Sequence, residues 1–181
     1  MAVGSKPTGI SGWLQIIAVG RRPARTLARL GVMITLAAAA FVVLRFLLLP
    51  IHIQGPSMEP TYRDGSINFI NTLAYRHSEP QRGDVVGIRF SGNDIMYVKR
   101  IVGLPGETIN FSDGGIYING QRLVEPYLSQ PDGHWSLSAE QLGPQEYYVV
   151  GDNRSMSMSD HKQGRADRNR IIGKIWLRGN S

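Results

Sequence analysis

The sequence predicts a mainly β protein: an antiparallel β-sheet domain preceded by one N-terminal transmembrane helix. Three observations carry this expectation. Residues 30–44 are uncharged and dominated by Leu, Val, Ile, Ala, Met and Phe. Beyond Pro50 the pattern turns to short β-rich runs separated by Gly, Pro, Asn and Asp, which is how strands are bounded. The charge divides at the same place. Lys6, Arg21, Arg22, Arg25, Arg29 and Arg45 face no acid in the first 45 residues, whereas 46–181 carries 14 basic and 14 acidic residues.

The 181 residues hold one domain of ordinary size and an appendage. The segmentation reads as a basic N-terminal tail over 1–29, an apolar anchor over 30–51 and a β domain over 52–181. As a helix, residues 30–51 reach ~33 Å at ~1.5 Å per residue, enough for a hydrocarbon core of ~30 Å. Arg45 lies toward the far end, where its long stem can snorkel to the headgroups. The one-sided cluster from Arg21 to Arg29 favours a cytoplasmic N-terminus by the positive-inside rule, which places the rest of the chain on the outer face of a cell membrane as a single-pass protein. A cleaved signal peptide, with Ala38-Ala39-Ala40 as the cleavage site, is a competing reading, but the apolar run continues past those alanines. A buried core helix is the other, and it conflicts with the absent polar face.

The excess charge of +6 belongs to the tail. A nucleic-acid-binding domain carries its basic surface itself, so no nucleic-acid partner is expected. With no cysteine, disulfides and Cys-ligated metals are excluded. His52, His77, His134 and His161 lack metal-ligand spacing, so neither metal nor cofactor is expected.

In chain order, strands are expected at 66–71, 84–90, 95–103, 108–111, 116–118, 147–150 and 171–177, with a helical turn near 138–141. Asp113-Gly114-Gly115 and Asn119-Gly120 supply the turn chemistry around Ile116-Tyr117-Ile118.

Two segments on this frame carry chemistry. Gly55-Pro56-Ser57-Met58-Glu59-Pro60-Thr61 puts a serine on a Gly/Pro turn, and Tyr97-Val98-Lys99-Arg100-Ile101-Val102-Gly103 puts a lysine among apolar strand residues. A serine hydroxyl needs a base, and a lysine serves as one only when neutral, which burial favours. Lowering a lysine pKa from ~10.4 to about 8 costs roughly 3 kcal/mol, tolerable at a functional site. Each residue alone has an ordinary explanation, as an edge-strand charge or a turn residue.

A third segment, Gly151-Asp152-Asn153-Arg154-Ser155-Met156-Ser157, follows an apolar strand. Together with Arg82-Gly83-Asp84-Val85-Val86 and the run on to Leu104-Pro105-Gly106-Glu107, the set resembles the type I signal peptidases of bacteria, membrane-bound Ser–Lys proteases. The resemblance spans roughly four-fifths of the chain. It implies that Ser57 is the nucleophile and Lys99 the general base, with no cofactor. It implies that Ser157 helps to orient the lysine amine, and that Asp152 and Arg154 brace their loop. Ile53 and Val98 match positions lining shallow pockets for small side chains of a signal peptide. The implied partners are preprotein signal peptides and the lipid bilayer; the oligomeric state is not implied.

Two departures stand out. Gly55 takes the place where many members carry an oxyanion-binding serine. Ser159-Asp160 exchanges the usual acid–serine order, so Asp160 supports the site only from a shifted position. These departures leave open a membrane-tethered binding module with vestigial motifs. A self-cleaving Ser–Lys peptidase of the repressor type is disfavoured by the apolar N-terminal segment. Trp135, Tyr127 and Trp176 read as packing residues, and Arg165, Arg168 and Arg170 as a solvated loop.

Overall fold

The computed structural model describes residues 23–91, 95–128, 135–161 and 164–176. It divides into two compact units, Met1–Arg45 and Phe46–Ser181.

The described part of the first unit is one helix, α1 (Pro23–Val42), continued by a π-helical turn, Val43–Leu47. Proline suits the first helical position, where its fixed φ fits and its missing N–H is no loss. Within Ala24–Arg45 an 18-residue stretch reaches a mean hydropathy of 2.2, and the helix is long and apolar enough to cross a bilayer. Its large side chains are exposed, Leu36 and Phe41 at 64% each. The tail up to residue 22 lies outside the described residues.

The helix does not run to residue 51 as expected. Residues Leu48–His52 form β1, which pairs antiparallel with β2 (Ile67–Asn71). Pro50 is the reason: its missing N–H and its ring oppose a helix interior. Opposite Phe69 on an edge strand that lost donor is tolerated.

The second unit continues with β3 (Val85–Ser91), β4 (Ile95–Gly103), β5 (Thr108–Ser112), β6 (Gly115–Ile118), β7 (Gln121–Arg122), β8 (Leu137–Gln141), β9 (Glu146–Val150), β10 (Gly164–Asp167) and β11 (Ile171–Ile175). Seven strands make one sheet in the order β1-β2-β11-β3-β4-β9-β10, and four make a second in the order β7-β6-β5-β8. Every pairing is antiparallel, so the mainly β antiparallel class is as predicted. The helical turn expected near 138–141 is instead strand β8, paired with β5 through Thr108↔Gln141 and Ile109↔Glu140. Partnering at the sheet edge overrides the local helical preference of Ala139 and Glu140.

The strands β4 and β9 read as nearly continuous apolar runs because both of their faces are covered. On β9, Tyr147 and Val149 pack with Val86, Ile88 and Ile101. Tyr148 and Val150 point the other way, into a cluster with Val102, Ile109, Phe111 and Trp135. A third cluster gathers Ile53, Met58, Tyr62, Ile70, Val85 and Ile175, with Val98 and Met96 packed against it. This last core seats the serine turn beside β4.

Candidate active site

Ser57 sits in the middle of a short 3₁₀ turn, Pro56–Met58. Gly55 precedes it at φ 90° and ψ 158°, a conformation open essentially to glycine alone. The missing side chain at 55 is thus a condition of the turn, whose Gly55 N–H donates to Asp64 Oδ1 at 2.8 Å. Below the serine, Met58 is 1% exposed and anchors the turn in the third core.

Lys99 lies on β4 opposite Val86 and is 2% exposed. Its Nζ is 2.7 Å from Ser57 Oγ, a contact between residues 42 apart in sequence. Burial pushes the amine pKa down to about 8, with the Asp152 carboxylate pulling weakly the other way. Asp152 is not a direct partner of the amine because it is taken up elsewhere. Arg100 grips it with Nε at 2.8 Å and Nη2 at 2.5 Å, and Thr61 donates its hydroxyl at 2.5 Å. Both ends of this pair are buried, and the guanidinium lies 3.8 Å over the Tyr127 ring. Adjacent basic residues on one strand therefore meet opposite fates: Arg100 is neutralised by a carboxylate, and Lys99 is left to shed its proton.

The turn after β9 is pressed against the serine's main chain. Asn153 donates its N–H to the Ser57 carbonyl at 3.1 Å and its side-chain amide to the Pro56 carbonyl at 3.1 Å. A Cβ on Gly151 would stand 2.1 Å from the Ser57 carbonyl oxygen, so only glycine allows this approach. Arg154 holds the turn from behind, through Gly151 O at 3.1 Å and a two-pronged pair with Glu125 at 3.0 and 2.5 Å. Asp152 and Arg154 thus brace the loop.

Ser157 and Asp160 are placed differently. Both are exposed, and the Ser157 hydroxyl donates to Asp160 Oδ2 at 2.6 Å and lies 2.9 Å from Ser159 Oγ. The Ser157 hydroxyl bonds within its own turn, and Asp160 bonds to that hydroxyl. The exchange of acid and serine puts the carboxylate three residues after Ser157, where a turn brings it back onto that hydroxyl. Ile53 and Val98 line a cleft of about 400 Å³ beside Ser57, together with Met58, Met96 and Tyr97.

Sequence reasoning passed over His161, which is fully buried against this site. The signal that could have found it is its place at the end of the motif, where the resembling family carries Arg or His. His134 lies outside the described residues. Trp135 is a core residue, whereas Trp176 is 63% exposed. The arginines read as a solvated loop are ordered by pairing: Arg165 with Glu140 and Glu146, Arg168 with Glu79 and Arg170 with Asp167.

Residues 26–178 match the family described as signal peptidase, peptidase S26. The chain belongs to the S26 signal peptidase family. Within that family it is 38% identical to signal peptidase I T of Bacillus subtilis (strain 168) over 148 residues, covering 74% of this chain and 75% of that protein. It is 32% identical to signal peptidase IB of Staphylococcus aureus (strain N315) over 162 residues, covering 78% and 84%. A crystal structure of a signal peptidase I from Enterococcus faecalis V583 aligns with a TM-score of 0.46 at 27% identity, over 55% of this chain and 98% of that one. The S26 match takes in all three segments that form the site.

Proposed function

We propose that the chain is a membrane-anchored serine endopeptidase that removes N-terminal signal peptides from exported preproteins, with Ser57 as nucleophile and Lys99 as general base. The observation that carries this reading is the 2.7 Å approach of a buried lysine amine, its pKa near 8, to a serine hydroxyl at the edge of a cleft that Ile53 and Val98 help to line.

The neutral Lys99 amine takes the proton as Ser57 Oγ attacks the scissile carbonyl. The ammonium so formed returns that proton to the leaving amine, giving an acyl-enzyme on Ser57. Lys99, neutral again, removes a proton from the water that hydrolyses the ester, and returns it to Ser57 Oγ as the acyl group leaves. The Ser57 main-chain N–H serves as one donor to the oxyanion. Ile53 and Val98 receive small side chains at −1 and −3 of the signal peptide. Helix α1 anchors the enzyme, and the basic residues on its N-terminal side orient the tail to the cytoplasm and the peptidase domain to the outer face. No step requires a cofactor.

Full-length enzyme in detergent is expected to cut a signal-bearing preprotein after small residues at −1 and −3, and Ser57→Ala to lower kcat/KM by about 10³-fold or more. N-terminal sequencing of the product and the rate of the variant check this; undiminished cleavage by the variant overturns the assignment of the nucleophile.

The same mechanism fixes a pH dependence. Only the neutral amine is a base, so kcat/KM should rise about tenfold per pH unit below pH ~8 and level off above it. A flat profile from pH 6 to 9 contradicts a lysine base.

A further inference from the structure

His161 has no part in the mechanism above, yet it makes two hydrogen bonds to the turn that touches Ser57. Gly151 donates its N–H to His161 Nδ1 at 3.2 Å, and His161 Nε2 lies 2.7 Å from the Asn153 carbonyl. A carbonyl only accepts, so Nε2 carries the proton, and Nδ1 must be bare to accept from Gly151. The two bonds therefore demand one tautomer of the neutral ring.

The contacts of Gly151 show what the ring does. A Cβ there would stand 2.2 Å from His161 Cε1 on one side and 2.1 Å from the Ser57 carbonyl oxygen on the other. The turn is wedged between the imidazole and the nucleophile's main chain, and Asn153 ties it to that same carbonyl. Trp135 sets the ring from behind, edge to face at 4.7 Å.

We propose that His161 is a positioning residue: as the neutral Nε2–H tautomer it clamps the turn at 151–153 and thereby holds the main chain of Ser57 in register with Lys99. The role builds on the Ser57–Lys99 assignment but does not depend on His161 touching substrate. The charged groups that face the ring are Lys99 from β4, and Asp152 and Arg154 from the turn itself. Burial first, with the cations Lys99 and Arg154, pushes the ring pKa down to about 4 against the Asn153 carbonyl and Asp152, which raise it. The clamp is thus closed throughout the range in which Lys99 can act.

The test uses the full-length enzyme in detergent with a signal-bearing preprotein. His161→Phe keeps an aromatic ring, one atom larger, against Trp135 but loses both hydrogen bonds. It is expected to lower kcat by about 10-fold to 10²-fold with KM within about twofold, and to speed hydrogen exchange at the Gly151 and Asn153 amides. His161→Gln, which retains a donor for the Asn153 carbonyl, should recover part of kcat. Wild-type enzyme should lose thermal stability as pH falls from about 6.5 to about 4, and His161→Phe should lose that dependence. Nitrogen NMR of the wild type should show Nε2 protonated and Nδ1 bare from pH 5 to 8, a readout that does not rely on a variant folding. Wild-type kcat in His161→Phe, or a proton on Nδ1, overturns the clamp. Ser57→Ala in the same assay separates the two readings, because the exchange and tautomer measurements judge the clamp even if that variant still cleaves.

Discussion

Lys99→Met is expected to abolish hydrolysis and to stabilise the protein. The loss of activity follows from removing the only base within reach of Ser57 Oγ among the described residues, and should be about 10³-fold or more in kcat/KM. The gain in stability follows from linkage. Lys99 has an ordinary pKa of 10.5 and a folded-state value of about 8. A depressed folded-state pKa means that the folded protein binds fewer protons between these values, so its stability is greatest above pH 10.5 and falls as pH drops toward 8. Below pH 8 the full penalty applies, about 3 kcal/mol at ~1.36 kcal/mol per pH unit. Methionine fills a similar volume without charge, at the loss of one hydrogen bond to Ser57 worth about 1 kcal/mol. A net gain of about 2 kcal/mol at pH 7 is expected, shrinking as pH approaches 10.5. Denaturant unfolding of both proteins at the two pH values measures it. A variant less stable at pH 7, or one that still cleaves, contradicts the description of Lys99 as a buried base with a lowered pKa.

Asp152→Asn should do the reverse to stability and leave the chemistry shifted rather than abolished. Asp152 is 2% exposed and Arg100 8% exposed. Taking the charge from one side of a buried pair leaves the other uncompensated, and removal of a partner from such a pair costs roughly 3–5 kcal/mol. The Arg100 guanidinium keeps the Gly83 carbonyl at 2.7 Å and the Tyr127 ring, which offset part of the loss. The same substitution acts on Lys99. The carboxylate raises the lysine pKa, so its removal lowers that pKa further. The midpoint of the pH–rate profile should therefore move below 8, leaving a larger neutral fraction of Lys99 at pH 6–7. Calorimetry and kcat/KM against pH read the two effects separately. Unchanged stability together with an unmoved midpoint contradicts the division of labour between Arg100 and Lys99.

How much of this was legible in the chain varies by residue. The β4 and β9 strands announce themselves through runs rich in Val, Ile and Tyr, and the hairpin around Ile116 through Asp113-Gly114 and Asn119-Gly120, because these signals are local. The anchor's end was misjudged because hydropathy does not distinguish a helix from an apolar edge strand; Pro50 was the one local clue that residues 48–52 leave the helix for the sheet. Strand β8 was misread for a related reason, since its residues are mostly exposed and only pairing with β5 makes them extended.

The site divides along the same line. Ser57 and Lys99 were identifiable because their segments combine a reactive residue with an unusual setting, a Gly/Pro turn and an apolar strand. Ser157 and Asp160 were placed by motif alone, and the structure bonds them to each other.

The sequence by itself determined the class of fold, the apolar span and the two residues of the proposed dyad, because periodicity, hydropathy and motif order are properties of neighbours along a chain. Tertiary structure alone decided that Arg100, and not Lys99, is held by the Asp152 carboxylate, and that His161 is buried behind the serine turn. Both depend on what stands opposite in space: a carboxylate already held by Arg100 and Thr61, and a glycine thin enough to fit between an imidazole and the carbonyl of Ser57.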